Sequence, residues 1–195
     1  MSSSESDVID LMISHELALG RLYTRFALAF PRLHVFWETL AREEQERADG
    51  LGVLRADPGA EAWLVHRSGV KPQAIKSSVE YIDDLTAKPL GSLTVIQALS
   101  AARGLESALI ELQFSKIDPA ACTGSRTVLL ELAKEAERHR RVISEALSAE
   151  KLGGWWTPAG PTGGKRVWQS LSWIYLGREQ LLAGKGRSCK RVAFS

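Results

Sequence analysis

The sequence predicts an all-α fold: a four-helix bundle of two helical hairpins, a long crossover that contains a short helix, and a further helix at the C-terminus. Apolar residues recur at steps of three and four along four long segments, which is the spacing of amphipathic helices. Breaks rich in Pro, Gly and Asp separate these segments, and no alternating strand pattern competes with them. With 45% hydrophobic and 25% charged residues, the composition is typical of a globular protein.

The first two helices are predicted to form an antiparallel hairpin. Ser6 is the expected N-cap of the first helix, whose apolar stripe runs from Val8 to Phe30. Pro31 disfavours a helical conformation at the residue before it, so we expect the first helix to end at Phe30. The second helix is expected directly afterwards, with Leu33, Trp37, Leu40, Leu51 and Leu54 on its apolar face. Such a tight connection favours antiparallel neighbours.

The crossover and the second hairpin follow. Residues 56–90 read as the crossover, with a short helix from Pro72 to about Ala87 that Pro89 terminates. Gly91-Ser92 is the expected cap of the third long helix, which should end near Asp118-Pro119. Ser125 is the expected cap of the fourth, whose apolar face carries Val128, Leu132, Val142 and Ala146.

Charge and composition divide the chain into three parts: a bundle over residues 1–150, a linker rich in Gly and Pro over 151–164, and a basic segment over 165–195 that carries tryptophans. The net charge of +2 separates into +6 from residue 165 onward and −4 before it. We expect the basic segment to form a helix that docks on the bundle or on a second copy. Binding to an acidic partner or an anionic membrane surface is the alternative, and nucleic acid is disfavoured.

Two further observations limit the class of protein. No apolar run approaches the roughly 18 residues of a membrane span, and residues 1–6 lack the basic start of a secretory signal. We therefore expect a soluble, cytoplasmic protein. The two cysteines, Cys122 and Cys189, are too few and too far apart for a thiolate zinc site or an iron–sulfur cluster.

One ionisable residue interrupts the apolar stripe of each long helix: Glu16, Glu44, Glu106 and His139. Counted from the turn of each hairpin, the two members differ by about two residues in height, or roughly 3 Å along the helix. Unpaired carboxylates inside a bundle are costly, so these groups need partners or a cation. Four polar groups at one height predict a metal-site geometry.

The second and fourth helices also resemble a known family. Residues 36–48, FWETLAREEQERA, are similar to the second-helix signature of rubrerythrin-type members of the ferritin-like superfamily, in which a Glu-Glu-x-x-His-Ala core follows an aromatic-rich lead. Residues 132–139, LAKEAERH, resemble the corresponding fourth-helix signature. The resemblance spans roughly residues 8–147 and implies ferritin-like connectivity of the bundle. It does not cover the basic C-terminal segment.

The resemblance also implies a set of metal ligands. Members of this family hold two iron or manganese ions with a Glu from each of two helices and a Glu-x-x-His pair from each of the others. Carried over, Glu16 and Glu106 match the lone glutamates, Glu44 the glutamate of the second helix, and His139 the histidine of the fourth. Two positions depart from the pattern: Arg47 stands in place of a histidine, and Ala136 in place of a glutamate.

These departures change the expected chemistry. Three carboxylates and one imidazole are too few to balance two divalent ions, and Arg47 brings a permanent cation to the position of a ligand. We expect Arg47 to pair with the carboxylates in a metal-free network. A site for one ion and a full dinuclear site stay open as alternatives. Glu135, within a turn of His139, is the candidate substitute for the missing glutamate.

The sequence thus predicts a rubrerythrin-like protein with a degraded metal centre that binds at most one iron or manganese ion, weakly, or none. An active non-haem di-metal oxidoreductase that disposes of peroxide or oxidises ferrous iron is one alternative. A non-catalytic interaction module that acts through residues 165–195 is another. Homo-oligomerisation stays open.

Other polar residues have a plainer interpretation. Tyr23 is predicted as a core aromatic whose hydroxyl is hydrogen-bonded. The remaining histidines, His15, His34 and His66, are predicted at the surface or in loops. The run from Arg138 to Arg141 is predicted as a solvated face of ion pairs, because glutamates lie within a turn of it.

Overall fold

The computed structural model describes residues 8–56, 64, 71–109 and 124–153. Over these ranges the chain forms five α-helices and two short 3-10 turns, with no strand among them, which confirms the all-α prediction. The helices are α1 (Val8–Ala29), α2 (His34–Gly52), α3 (Pro72–Ala87), α4 (Val95–Leu109) and α5 (Gly124–Lys151). In these ranges no helix has both the length and the apolar character needed to cross a membrane.

The chain divides into two compact units, Met1–Trp156 and Thr157–Ser195, and every described residue belongs to the first. The predicted basic helix over 165–195 and the predicted linker beyond Gly153 therefore lie outside the described residues, as do the predicted N-cap Ser6 and the third helix beyond Leu109.

Helices α1 and α2 form an antiparallel hairpin. α1 ends at Ala29, and Pro31–Leu33 forms a 3-10 turn that leads directly into α2, because Pro31 disfavours a helical conformation at the preceding residue. The ring of Phe26 packs on Trp37 at a centroid distance of 5.0 Å. At Gly20 the two helices approach closely, since a Cβ there would lie 3.3 Å from the Ala41 carbonyl oxygen and 3.5 Å from Glu44 Cβ.

Helix α3 spans the residues predicted for it and lies against α1, running in the same direction. The contacts advance together along both helices: His15 with Ser78, Arg21 with Asp83, and Arg25 with the Lys88 carbonyl. α3 buries Ile75, Ile82 and Leu85. Because α1 and α3 run in parallel, α3 starts at the end of the bundle where α2 finishes and itself carries the chain back along the bundle.

The starts of α4 and α5 differ slightly from the prediction. The cap of α4 is Thr94 and not Gly91-Ser92: Thr94 Oγ1 accepts a hydrogen bond from the Gln97 amide, and Gln97 Oε1 accepts one from the Thr94 amide. This reciprocal pair is a capping box. α5 begins at Gly124, one residue before the predicted cap Ser125. α5 runs antiparallel to α2, since His139 meets Glu44 while Glu150 meets Arg32 near the other end.

The interior has two apolar clusters with a polar layer between them. One cluster contains Leu19 and Leu40, with Ile143 from α5. The other contains Met12 and Leu51, with Leu132 from α5. On each of these three helices the residues between the two clusters include buried ionisable groups, namely Glu16, Glu43, Glu44, Arg47 and His139. The polar groups are thus held at one level inside the bundle by the apolar packing above and below.

Candidate metal centre

The four residues predicted on the inner helix faces all lie in this polar layer. Glu44, Glu106 and His139 are fully buried, and Glu16 is 2% exposed. His139 Nδ1 lies 2.9 Å from Glu44 Oε1 and 3.4 Å from Glu106 Oε1. These three residues each offer a ligand atom, and the three atoms lie within 4.8 Å of one another.

Arg47 occupies the centre of the layer and points inward, as the sequence predicted. Its Nη2 lies 2.7 Å from Glu16 Oε2 and also donates a hydrogen bond to Glu44 Oε2. Its Nη1 lies 3.7 Å from Glu106 Oε2. One guanidinium therefore neutralises charge on three carboxylates from three helices. At the second departing position, Ala136 is fully buried and contributes only a methyl group.

The carboxylate on the far side of His139 belongs to Glu43, which the sequence analysis did not select. His139 Nε2 lies 2.9 Å from Glu43 Oε2, and Glu43 is 4% exposed. Glu135, the candidate substitute ligand, instead accepts a hydrogen bond of 2.8 Å from Arg138 Nε. Arg138 Nη2 in turn donates a 2.8 Å bond to Glu43 Oε2. The extra carboxylate thus comes from α2 and not from α5.

Glu43 was missed because it lies about 100° around the helix from Glu44, on what the apolar stripe indicates is a polar face. The sequence feature that could have pointed to Glu43 is its position one helical turn before Arg47. We refer below to Glu16, Glu43, Glu44, Arg47, Glu106 and His139 as the central cluster.

Two further side chains from α1 border the central cluster. The Tyr23 hydroxyl donates a 2.9 Å hydrogen bond to Glu106 Oε1, which confirms the predicted buried and hydrogen-bonded tyrosine. The prediction that His15 is a surface residue is wrong, because α3 packs over it and leaves it 2% exposed. Its Nε2 lies 2.9 Å from Ser78 Oγ, and its Nδ1 lies 3.9 Å from Glu16 Oε1. His34 is half-exposed, and His66 lies outside the described residues.

The arginines between Arg138 and Arg141, near the middle of α5, lie largely on an exposed face of ion pairs, as predicted. Arg140 forms an exposed ion pair with Glu137, and Arg141 is exposed. Arg138 is the exception, because its side chain is only 22% exposed and reaches the rim of the central cluster. The run is therefore a salt-bridged face whose first member also contacts the interior.

Burial and pairing shift the titration of the cluster in opposite directions. Burial, reinforced by the neighbouring Glu106, raises the pKa of Glu44 from 4.5 to about 8. At Glu16, burial acts upward, but Arg47 and His15 outweigh it and hold the pKa at about 2. At Glu43 burial is likewise outweighed, here by His139 and Arg138, and the pKa falls to about 2. Burial lowers the pKa of His139, but the carboxylates around it raise it well above 6.5 overall.

These shifts leave protons on two groups of the central cluster, Glu44 and His139. His139 Nε2 faces Glu43, and its Nδ1 lies 3.4 Å from Glu106. The pKa values of Glu43 and Glu106 are lowered, so both carboxylates are ionised and only accept hydrogen bonds. The charged imidazolium is therefore the form that can donate on both sides.

Arg47, Arg138 and His139 are then cationic, and Glu44 carries a proton. Arg138 is shared between Glu43 and Glu135, so these three cations face four carboxylates, namely Glu16, Glu43, Glu106 and Glu135. The cations therefore compensate most of the carboxylate charge.

Several buried polar atoms of the layer still have hydrogen-bonding capacity. Among the described residues, Arg47 Nε and Nη1, Glu106 Oε2 and His15 Nδ1 have no hydrogen-bond partner. The separation of 3.7 Å between Arg47 Nη1 and Glu106 Oε2 is too long for a direct bond. The arrangement therefore neutralises charge well and satisfies hydrogen bonds incompletely.

Comparison of the chain with protein-family models, with curated proteins and with solved structures found no match. The functional argument therefore rests on the residues and on their geometry. Cys122, Cys189 and the tryptophans of the basic segment lie outside the described residues, so the predicted partners of residues 165–195 stay predictions.

Proposed function

We propose that this protein is a ferritin-like four-helix bundle of the rubrerythrin type whose dinuclear centre has been replaced by an arginine-centred ion-pair network. In this proposal it binds at most one iron or manganese ion, weakly, and lacks robust oxidase or peroxidase turnover. The observation that carries the proposal is the position of Arg47, whose guanidinium contacts Glu16 and Glu44 and approaches Glu106. The term ferritin-like comes from the family resemblance of the sequence. The pairing of α1 with α2 and of α4 with α5 is consistent with that fold.

Two residues, Arg47 and Ala136, disfavour a dinuclear centre. Two divalent ions bring about four positive charges and are matched in this family by four glutamates and two histidines. Here Arg47 adds a positive charge next to three of the carboxylates that would bind the ions, and Ala136 offers no ligand atom. At separations of about 4 Å, like charges in a protein repel by several kcal/mol, which opposes a second ion strongly.

The residues do fit a single ion. Glu44, Glu106 and His139 provide two carboxylates and one imidazole whose ligand atoms lie close together and are buried. Carboxylate and imidazole ligands suit iron and manganese. Such an ion would supply Lewis-acid or one-electron chemistry. Glu44 and His139 would have to release protons to bind it, and Arg47 would repel it, so weak binding is expected.

A metal titration with matched variants tests this proposal. Chain expressed with added iron or manganese should contain at most one metal ion per chain by elemental analysis. Binding of Mn²⁺ followed by calorimetry should be weak, should disappear in Glu106→Gln, and should persist in Glu38→Gln, which changes an exposed glutamate of α2. A content of about two ions per chain would overturn the proposal.

One observation favours a second candidate, an active di-metal oxidoreductase. Glu43 brings the carboxylates of the central cluster to four, which is the number that two divalent ions require. This candidate expects oxygen- or peroxide-dependent turnover that is lost in Glu44→Ala and in His139→Ala. Turnover without loss in either variant would assign the activity to another part of the chain.

A further inference from the structure

The central cluster is closed to solvent in the described structure. None of its six side chains is more than 5% exposed, and Tyr23 and His15, which border it on α1, are 0% and 2% exposed. An ion or a small molecule can therefore reach the ligand atoms only if a neighbouring group moves. Which group moves first determines how fast the site exchanges with solvent.

Arg138 is the partly exposed side chain at the boundary of the cluster. Its side chain is 22% exposed, whereas His15 and Tyr23, which border the cluster on α1, are 2% and 0% exposed. Its guanidinium spans the seam between α2 and α5, with bonds of 2.8 Å to Glu43 Oε2 on one side and to Glu135 Oε2 on the other. The same Glu43 oxygen lies 2.9 Å from His139 Nε2. Only one carboxylate thus separates Arg138 from the buried imidazole.

We propose that Arg138 is the gate of the central cluster: rotation of its side chain into solvent opens the α2–α5 seam and releases the Glu43 carboxylate, which covers the Nε2 edge of His139. A long arginine side chain can turn outward while its stem stays on the helix. Opening from the opposite side would require α3 to leave α1, because Ser78 of α3 covers His15. That motion would also expose Ile75, Ile82 and Leu85, which are buried. The side-chain route is therefore the easier one.

The gate can be measured without any metal. Deuterium exchange at the Cε1 position of each histidine ring reports solvent access, and mass spectrometry assigns it to His139 and His15 separately. The exchange rates are compared at high pH, where they no longer change with pH, so that a difference in histidine pKa between variants does not affect the comparison. In the full chain, Arg138→Gln should speed exchange at His139 by about fivefold or more, the effect of losing an ion pair of ordinary strength. In Arg138→Lys the exchange rate at His139 should lie between those of wild type and Arg138→Gln.

Two controls distinguish a local gate from general loosening. Arg140→Gln removes a neighbouring arginine of the same helix whose ion pair with Glu137 is exposed, and it should leave exchange at His139 unchanged. His15 is buried away from the seam and should exchange at the wild-type rate in Arg138→Gln. Equal acceleration at His15 and His139, or no acceleration at His139, would overturn the gate.

The role of the gate in metal entry rests on the proposed function, and a second measurement separates the two. If one ion binds, Mn²⁺ should enter Arg138→Gln faster than wild type with little change in equilibrium affinity. Faster histidine exchange together with two bound ions per chain would retain the gate and overturn the proposed function. Unchanged histidine exchange together with one weakly bound ion per chain would overturn the gate and retain the proposed function.

Discussion

Arg47 Nη2 lies 2.7 Å from Glu16 Oε2, and this contact joins α2 to α1 inside the bundle. Both side chains are at most 5% exposed. A buried ion pair repays the cost of desolvation only when its geometry is good and its remaining polar atoms are satisfied. Here the same guanidinium also donates to Glu44 and approaches Glu106, so one cation compensates several buried charges, but its Nε and Nη1 have no hydrogen-bond partner.

Loss of the Arg47 cation should destabilise the fold strongly. Arg47→Met keeps most of the side-chain volume but leaves Glu16, Glu44 and Glu106 without their shared partner. We expect a loss of about 3–5 kcal/mol in the free energy of unfolding at pH 7, measured with urea, as is typical when one partner of a buried pair is removed. Arg140→Met, in the exposed pair with Glu137, should leave the unfolding midpoint unchanged. Equal midpoints for the two variants would show that the buried network contributes little.

Restoring the two departing ligand positions should restore metal binding. The double variant Arg47→His, Ala136→Glu removes the buried cation and adds an imidazole and a carboxylate at the positions where rubrerythrin-type proteins, which the sequence resembles, carry them. We expect its metal content to rise to about two ions per chain, the number that four glutamates and two histidines hold in this family.

Each single variant serves as the control for the double variant. Arg47→His alone should bind metal more tightly than wild type, because the repelling charge is gone. Ala136→Glu alone should destabilise the fold, because it buries a further carboxylate at a fully buried position. If the double variant binds no more metal than wild type, the resemblance does not identify the ligand positions of this site.

Stability should decline as the solution becomes alkaline. The folded chain keeps a proton on Glu44 until about pH 8 and on His139 to a pH well above 6.5, whereas the unfolded chain releases these protons at their ordinary values of 4.5 and 6.5. Above pH 4.5 the folded state therefore binds more protons than the unfolded chain, first through Glu44 and above pH 6.5 through His139 as well, so the free energy of unfolding falls as pH rises. Urea unfolding between pH 6 and 9 should follow this slope, and Glu44→Gln should reduce it.

Stability should also decline in acid, for the opposite reason. The pKa values of Glu16 and Glu43 are about 2 in the folded chain, below the ordinary 4.5. Their contribution is complete above pH 4.5 and is lost as pH falls toward 2. Combined with the decline caused by Glu44 and His139 at higher pH, this gives greatest stability near pH 4.5. A maximum above pH 8 would contradict the protonation assigned to Glu44 and His139.

Tyr23 should contribute through its hydroxyl as well as through its ring. Tyr23→Phe preserves the packing of the ring against Trp37 but removes the 2.9 Å hydrogen bond to Glu106 Oε1. The buried carboxylate then loses a donor, and we expect a loss of about 1–3 kcal/mol in unfolding free energy. Tyr81→Phe, at a side chain that is half-exposed on α3, is the matched control and should unfold as wild type does.

The helices and the inward ionisable residues could be predicted from the sequence because they follow from local pattern. Pro31 ends α1, and Pro72 and Pro89 bracket α3. Glu16, Glu44, Glu106 and His139 were found as gaps in apolar stripes, and all four are buried. Burial of such a residue can be predicted because it follows from the position of the residue on the apolar face of its own helix.

What could not be predicted depends on contacts between helices. His15 looked exposed because the stripe of α1 defines one apolar face, whereas the folded α1 is covered on a second side by α3. Glu43 looked like a surface residue until α5 brought His139 and Arg138 to it. At α4, Gly91-Ser92 and Thr94 all offered caps, and only the reciprocal bonds with Gln97 selected Thr94.

The parallel packing of α3 on α1 has a consequence for the order of folding. His15 meets Ser78 across 63 residues of chain, whereas contacts within the α1–α2 hairpin span about half that separation. A longer loop costs more entropy to close, and contacts distant in sequence form more slowly. The α1–α2 hairpin should therefore form before α3 docks on it, and α3 should detach from α1 more readily than α2 does. Native-state hydrogen exchange would then show the amides of α3 exchanging through a lower-energy opening than those of α1 and α2.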